Sequence, residues 1–454
     1  MDNNETQKIP APDRKESRML QPIRRRRSLW MLPLVLGVVL GVGALPLMRS
    51  RGASALDPQF GMVCASGTSF QLRATAGYIS TPDGNSLLMW SYANDTGGTG
   101  AFQFPGPNLC VNQNDTVSIT LTNDLPDSVS IIFPGQQDVM ADTGGGPVLA
   151  QPEFVASTLT SLTNSVAPGG SITYSFVASE PGTYIYESGT EPGKQVQMGL
   201  IGSLIVRPAL GAQYAYNDYA TQFNPAREFL LLFHEVDPIL HQSVEAGQPY
   251  DVTKLHMRYW TINGRNLPDT FAANNAPWLP SQPYGSLISV EPYDPGSNPD
   301  PALVRIANAG METHPFHPHA NSVRLIGQDG REMIGPSGED LSSEEFSPQV
   351  APGQTYDSLF KWTDVNQFNS VTSPVPVQIP GLQNLVFKDG VTYYAGSPYL
   401  GEQGELPVGT TSFNQCGEQY FPWHSHALNE FTNFNEGFGG LGTMLRVDPP
   451  GGCP

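Results

Sequence analysis

The sequence predicts an all-β fold assembled from sandwich-type domains, on three observations. Glycine and proline are abundant, 47 and 42 of 454 residues, while charged residues make up only 14%; that balance belongs to a chain of short strands and many turns. Long stretches alternate apolar and polar residues with a period of two, the mark of half-buried strands. No stretch carries the spacing of a long amphipathic helix. A chain of this length has room for two or three domains with proper cores.

Taken in order, the first 55 residues differ from all that follow. A polar, basic lead ends in Arg24-Arg25-Arg26-Arg27, an apolar run extends from Leu29 to Met48, and Ala53-Ser54-Ala55 closes the segment. This is the layout of an export signal cleaved after Ala55, and its Arg-Arg-Ser-Leu sequence is similar to a twin-arginine signal. The other reading is a membrane anchor formed by residues 29–48, nearly long enough to span a bilayer. Both readings place the bulk of the chain outside the cytoplasm, as a periplasmic, secreted or surface protein. Without this segment 13 basic residues face 38 acidic ones, a net charge of −25. Such a surface repels nucleic acid and anionic membranes and favours cationic partners or metal ions.

A first domain is expected over 56–210. Asp115 to Thr122 sets Val117, Ile119 and Leu121 on one face and Thr116, Ser118 and Thr120 on the other, and the turns at Ala167–Gly170 and Pro181–Thr183 lead into further strands. A second domain is expected over 226–454. It opens with the buried-strand run Glu228–His234, continues through Tyr259–Arg265 and Leu303–Gly310, and closes with Gly442–Val447. Residues 364–416 are rich in Pro and Gly and poor in strand signals, and read as a long inserted loop. The four cysteines, Cys64, Cys110, Cys416 and Cys453, are scattered with no C-x-x-C pair. In an exported protein such a set reads as disulfides, with Cys64–Cys110 and Cys416–Cys453 favoured among the three pairings.

The chemistry concentrates in His314-Pro315-Phe316-His317-Pro318-His319 and His424-Ser425-His426, which hold five of the eight histidines. In an extended segment alternate side chains share a face, so His317 with His319, and His424 with His426, can each converge on one point. Four neutral imidazoles suit copper, zinc, iron or nickel and exclude magnesium and calcium. His234, His241 and His256 stand alone and read as structural or surface residues.

The first histidine run resembles the His-Pro-x-His-x-His segment of the multicopper oxidases, a laccase-like family, and the second resembles their His-Cys-His segment with the cysteine changed. Phe104-Pro105-Gly106-Pro107, Asn114–Val117, Gly199–Val206 and Ile262-Asn263-Gly264-Arg265 are similar to framework strands of the same family. The resemblance implies two tandem cupredoxin-like Greek-key sandwiches with copper as cofactor, preferred over zinc. It assigns His317, His319, His424 and His426 to a type 2/type 3 cluster. His314 and Glu430 follow as further metal candidates, standing where the family has its type 1 ligands. Two departures count against full activity. Position 425 is serine, which cannot act as the soft thiolate of a blue site. The first domain has Ile131–Gly135 and Tyr186–Gly189 where the family has His-x-His, and contains no histidine.

Three functions follow as expectations: an exported copper-dependent oxidoreductase with a reduced centre and an unidentified reductant, a non-catalytic copper-binding protein, or a structural or interaction protein on a degenerate scaffold. No catalytic residue is assigned. A homotrimer, used by two-domain relatives to build the cluster between subunits, is the assembly the resemblance implies.

Overall fold

The computed structural model describes residues 60–363, 384–386, 392–393, 411–412, 419–433 and 439–448. The N-terminal segment expected to direct export, most of the expected 364–416 loop, Cys416 and Cys453 lie outside the described residues. Strands dominate, and the longest helix, Pro238–Glu245, has eight residues.

The first half is a sandwich of two sheets. In the six-stranded sheet Thr116–Asn123 lies between Ser69–Ser80, which it pairs in parallel, and Ser171–Val177, which it pairs antiparallel. The four-stranded sheet runs Ala65–Ser66, Leu109–Asn112, Ile201–Arg207, Gly182–Glu187. The period-two pattern explains the packing: Val117, Ile119 and Leu121 are fully buried against Leu109, Tyr174, Phe176 and Leu204. Cys64 and Cys110 form the expected disulfide, tying the segment that enters the first sheet to its second strand. Replacing both with serine is expected to cost about 2–4 kcal/mol, read as a lower urea midpoint.

The second half repeats the plan. Its seven-stranded sheet has Glu228–Val236 and Ala302–Asn308 as parallel neighbours, with Thr355–Phe360 and Val323–Gln328 beyond them. The opposing sheet runs Ile288–Val290, Gly442–Val447, Gln419–Ser425, His314–Pro318, Gln349–Val350. Between them lie Phe229, Leu231, Phe233, Trp260, Phe316, Trp423 and Leu445. Both histidine runs therefore fall on adjacent central strands of one sheet.

The halves share a seam. Ile79, Leu87, Met89, Phe104, Ile185, Val196 and Ile201 of the first pack on Leu232, Val236, Ala307 and Ala309 of the second. Beside it lies a buried ionic network. Arg305, with no solvent exposure, bonds Glu228 at 2.8 Å and Asp357 at 2.9 Å, and Arg207 reaches across from the first half to Glu228 at 2.7 Å. Thr183 donates to Asp357 at 2.5 Å, and Tyr216, on the connection between the halves, donates to the other oxygen at 2.6 Å.

Candidate metal centre

Strand register brings the two histidine runs together. His314–Pro318 pairs antiparallel with Gln419–Ser425 so that His317 lies directly opposite His424 and Phe316 opposite Ser425. Directly opposed residues share a face. The backbone contacts continue the pairing, with the His319 N–H donating to the Pro422 carbonyl and the His426 N–H to the Pro315 carbonyl. His317, His319, His424 and His426 thus gather on one side of the sheet. Ring centroids are 4.6 Å apart for His317 and His319, 5.3 Å for His319 and His424, 5.4 Å for His317 and His426, and 5.7 Å for His424 and His426.

The outer hydrogen bonds set the tautomers. His317 Nδ1 bonds the Phe346 carbonyl at 2.8 Å and His424 Nδ1 bonds the Ser425 carbonyl at 2.7 Å. A carbonyl only accepts, so each Nδ1 carries the proton and each Nε2 keeps its lone pair, the arrangement found behind metal-ligating histidines. Burial, and then the neighbouring rings of His317, His424 and His426, push the His319 imidazole down to about 4. Burial likewise holds His424 below the ordinary histidine range. Both rings are therefore neutral near pH 7.

These residues fit copper in donor chemistry. The Nε2 atoms of His319 and His424 are 3.2 Å apart, so these two rings would be the first to hold an ion there. Among the described residues no three His, Cys, Asp or Glu side chains stand close enough to hold one ion as placed. His426 stands on the exposed rim. Phe346 packs against His317 in a tilted arrangement, centroids 4.1 Å apart, and is itself 66% exposed.

His314 and Glu430 stand together, beside Ser425 and apart from the imidazole cluster. Strand alternation sends His314 to the opposite side of the sheet from His317 and His319, the side shared by Phe316 and Ser425. Its Nε2 is 2.5 Å from Glu235 Oε1 and its Nδ1 is 2.9 Å from Glu430 Oε2, both buried. Both nitrogens are engaged, so the ring offers no lone pair, and Glu430 is the partner of His314 and of the Ser425 hydroxyl. Glu235 went unnoticed in the sequence because it sits inside the apolar run Glu228–Val236. The odd spacing between His314 and His317 was the signal that they face apart.

In the first half, Ile132 and Glu187 bridge each other, bringing together the two segments where the family has histidine pairs. Behind them is a buried hydroxyl cluster: Thr190 donates to Ser130 at 2.9 Å, and Ser161 and Thr190 are 2.9 Å apart. Burial raises Glu187 to about 7. His234 and His241 are structural: His234 Nε2 bonds the Val196 carbonyl at 3.0 Å and His241 Nε2 the Gln197 side-chain oxygen at 2.8 Å.

This architecture, two β-sandwiches with an imidazole cluster on the second, matches a class of known proteins. The blue copper oxidase of Nitrosomonas europaea superposes with a TM-score of 0.51 at 17% identity, covering 83% of this chain and 85% of that one. The multicopper oxidase mgLAC superposes at 0.52 with 16% identity, covering 84% and 85%. The fold is that of the cupredoxin-type copper oxidases. In sequence, residues 96–210 match the family model described as multicopper oxidase, a stretch without histidine. Putative laccase-11 of Oryza sativa subsp. japonica is 25% identical over 327 residues, 69% of this chain and 52% of that protein. Laccase-13 of Arabidopsis thaliana is 27% identical over 266 residues, 57% of this chain and 39% of that protein. The chain spans about half or less of the length of these relatives. The chain is thus similar in sequence to laccases and, over residues 96–210, to the multicopper oxidase family model.

Proposed function

We propose that this is an exported copper-binding protein of multicopper-oxidase type, with copper held by His317, His319, His424 and His426, acting as an oxidoreductase with a reduced type 2/type 3-like centre. The in-register opposition of His317 and His424, which gathers four imidazoles on one face, carries this reading. Copper in such a centre supplies one-electron exchange with a reductant and with dioxygen. The chain's own residues do the rest. The Phe346 and Ser425 carbonyls hold the tautomers of His317 and His424, Phe346 shields one ring face, and the strand pairing fixes the spacing. The acidic surface suits a metal-ion or other cationic reductant.

Purified protein loaded with copper, assayed for metal content, electron paramagnetic resonance and oxygen uptake with phenolic, Mn(II), Fe(II) and Cu(I) donors, tests the reading. Retained copper with a type 2-like resonance and uptake with at least one donor is expected. Retained copper with no uptake from any donor would leave a copper-binding protein without turnover. Failure to retain copper would reduce the scaffold to a structural or interaction role.

A further inference from the structure

The face of the sheet opposite the imidazole cluster contains a second constellation. His314 lies between Glu235 and Glu430, and both carboxylates accept further hydrogen bonds. Glu235 Oε2 accepts the Met311 N–H at 2.8 Å and Oε1 the Glu312 N–H at 3.3 Å. Glu430 Oε2 accepts the Ser425 hydroxyl, and that hydroxyl oxygen in turn accepts the Ala427 N–H at 3.2 Å. Each nitrogen of the ring faces a carboxylate oxygen, Nε2 that of Glu235 and Nδ1 that of Glu430, and a carboxylate accepts, so the ring between them donates from both nitrogens. Glu312 stands nearby with its own donor, the Trp260 indole N–H at 2.8 Å.

The glycines around the constellation show that the fold is built for it. A side chain on Gly310 would overlap the Glu235 carboxylate, and one on Gly440 would overlap the Glu430 carbonyl. Phe233 closes the His314 ring edge-on at 5.7 Å.

We infer that this constellation is a carboxylate–imidazolium–carboxylate clamp that occupies, with a bound proton, the position where related proteins hold a metal ion, and that it takes no copper. His314 is then a structural cation near neutral pH, Ser425 the hydroxyl that orients Glu430, and position 425 carries no electron. A reductant has to reach the imidazole face itself. Burial alone would lower the His314 imidazole, but its bonds to Glu235 and Glu430 outweigh that and hold it at about 9. The groups facing it are Glu235 from the strand Glu228–Val236, Glu430 from the helix Leu428–Phe431, and Glu312 and His234, which act through space.

Two experiments test this independently of the copper reading. In the metal-free full chain, nitrogen NMR of the histidine rings should show both His314 nitrogens protonated at pH 7, unchanged when Cu(II) is added. A neutral ring, or loss of either ring proton on adding Cu(II), would overturn the inference. In the second, Ser425→Cys is loaded with Cu(II). The expected product has the wild-type copper content and no intense visible band, because a new thiolate would find no free His314 nitrogen beside it. An intense blue band from Ser425→Cys would show that the ring is available to a metal and would overturn it too. If the wild type binds no copper at all, the copper reading fails while the ring-proton measurement still decides the clamp.

Discussion

His424→Ala is expected to lower copper retention by at least about 10-fold and toward 100-fold or more. The estimate takes the 10- to 100-fold loss seen when a group behind a ligand is removed as a floor for removing the ligand itself. His424 is the ring opposite His317 in the ladder and the one whose Nε2 lies 3.2 Å from His319. Its loss removes the contact between ring nitrogens that joins the two runs. His426→Ala should have a smaller effect, since that ring is at the exposed rim and is not one of the pair in contact. Metal analysis after dialysis against a weak chelator, beside an unfolding curve, separates ligand loss from misfolding. Equal retention by His424→Ala and the wild type would dismiss the imidazole face as the copper site.

The second large effect is on stability. Arg305→Met is expected to destabilise the protein by about 3–5 kcal/mol, because removing one partner of a buried network leaves uncompensated charge behind. Arg305 is wholly buried between Glu228 and Asp357. The effect has a pH signature. Burial alone would raise the Glu228 carboxyl, but Arg305 and Arg207 outweigh that and leave it below the ordinary glutamate range. A carboxylate depressed in the folded state stabilises above its unfolded pKa of about 4.3, and that contribution is lost as pH falls through the lower folded value. The wild type should therefore lose stability on acidification. In Arg305→Met the remaining charge on Glu228 is relieved by protonation, so its deficit relative to wild type should narrow as pH falls. Urea midpoints at pH 7 and pH 4 check both statements, and a deficit that is constant with pH would contradict the assignment to Glu228.

Much of the fold was readable because it rests on patterns that local sequence carries. Val117, Ile119 and Leu121 announced a buried face, and Gly442–Val447 was bounded correctly as the last described strand. The disulfide from Cys64 to Cys110 was among the pairings expected. The histidines were legible as a set because period-two spacing puts His317 with His319 and His424 with His426. The partners of His314 were not, because Glu235 is remote in sequence and buried in an apolar strand. A carboxylate in such a run is visible only once the strand's neighbours are known. The buried link of Arg305 to Glu228 and Asp357 escaped for the same reason, since each residue looks like an ordinary surface charge when read singly.

The seam between the sandwiches has one more consequence. Leu232, Val236, Ala307 and Ala309 are covered by apolar side chains of the other half, so neither half has a finished exterior of its own. Calorimetry should record one cooperative melt, and a chain severed within the connector around Tyr216 should yield fragments that aggregate when expressed separately and regain solubility together.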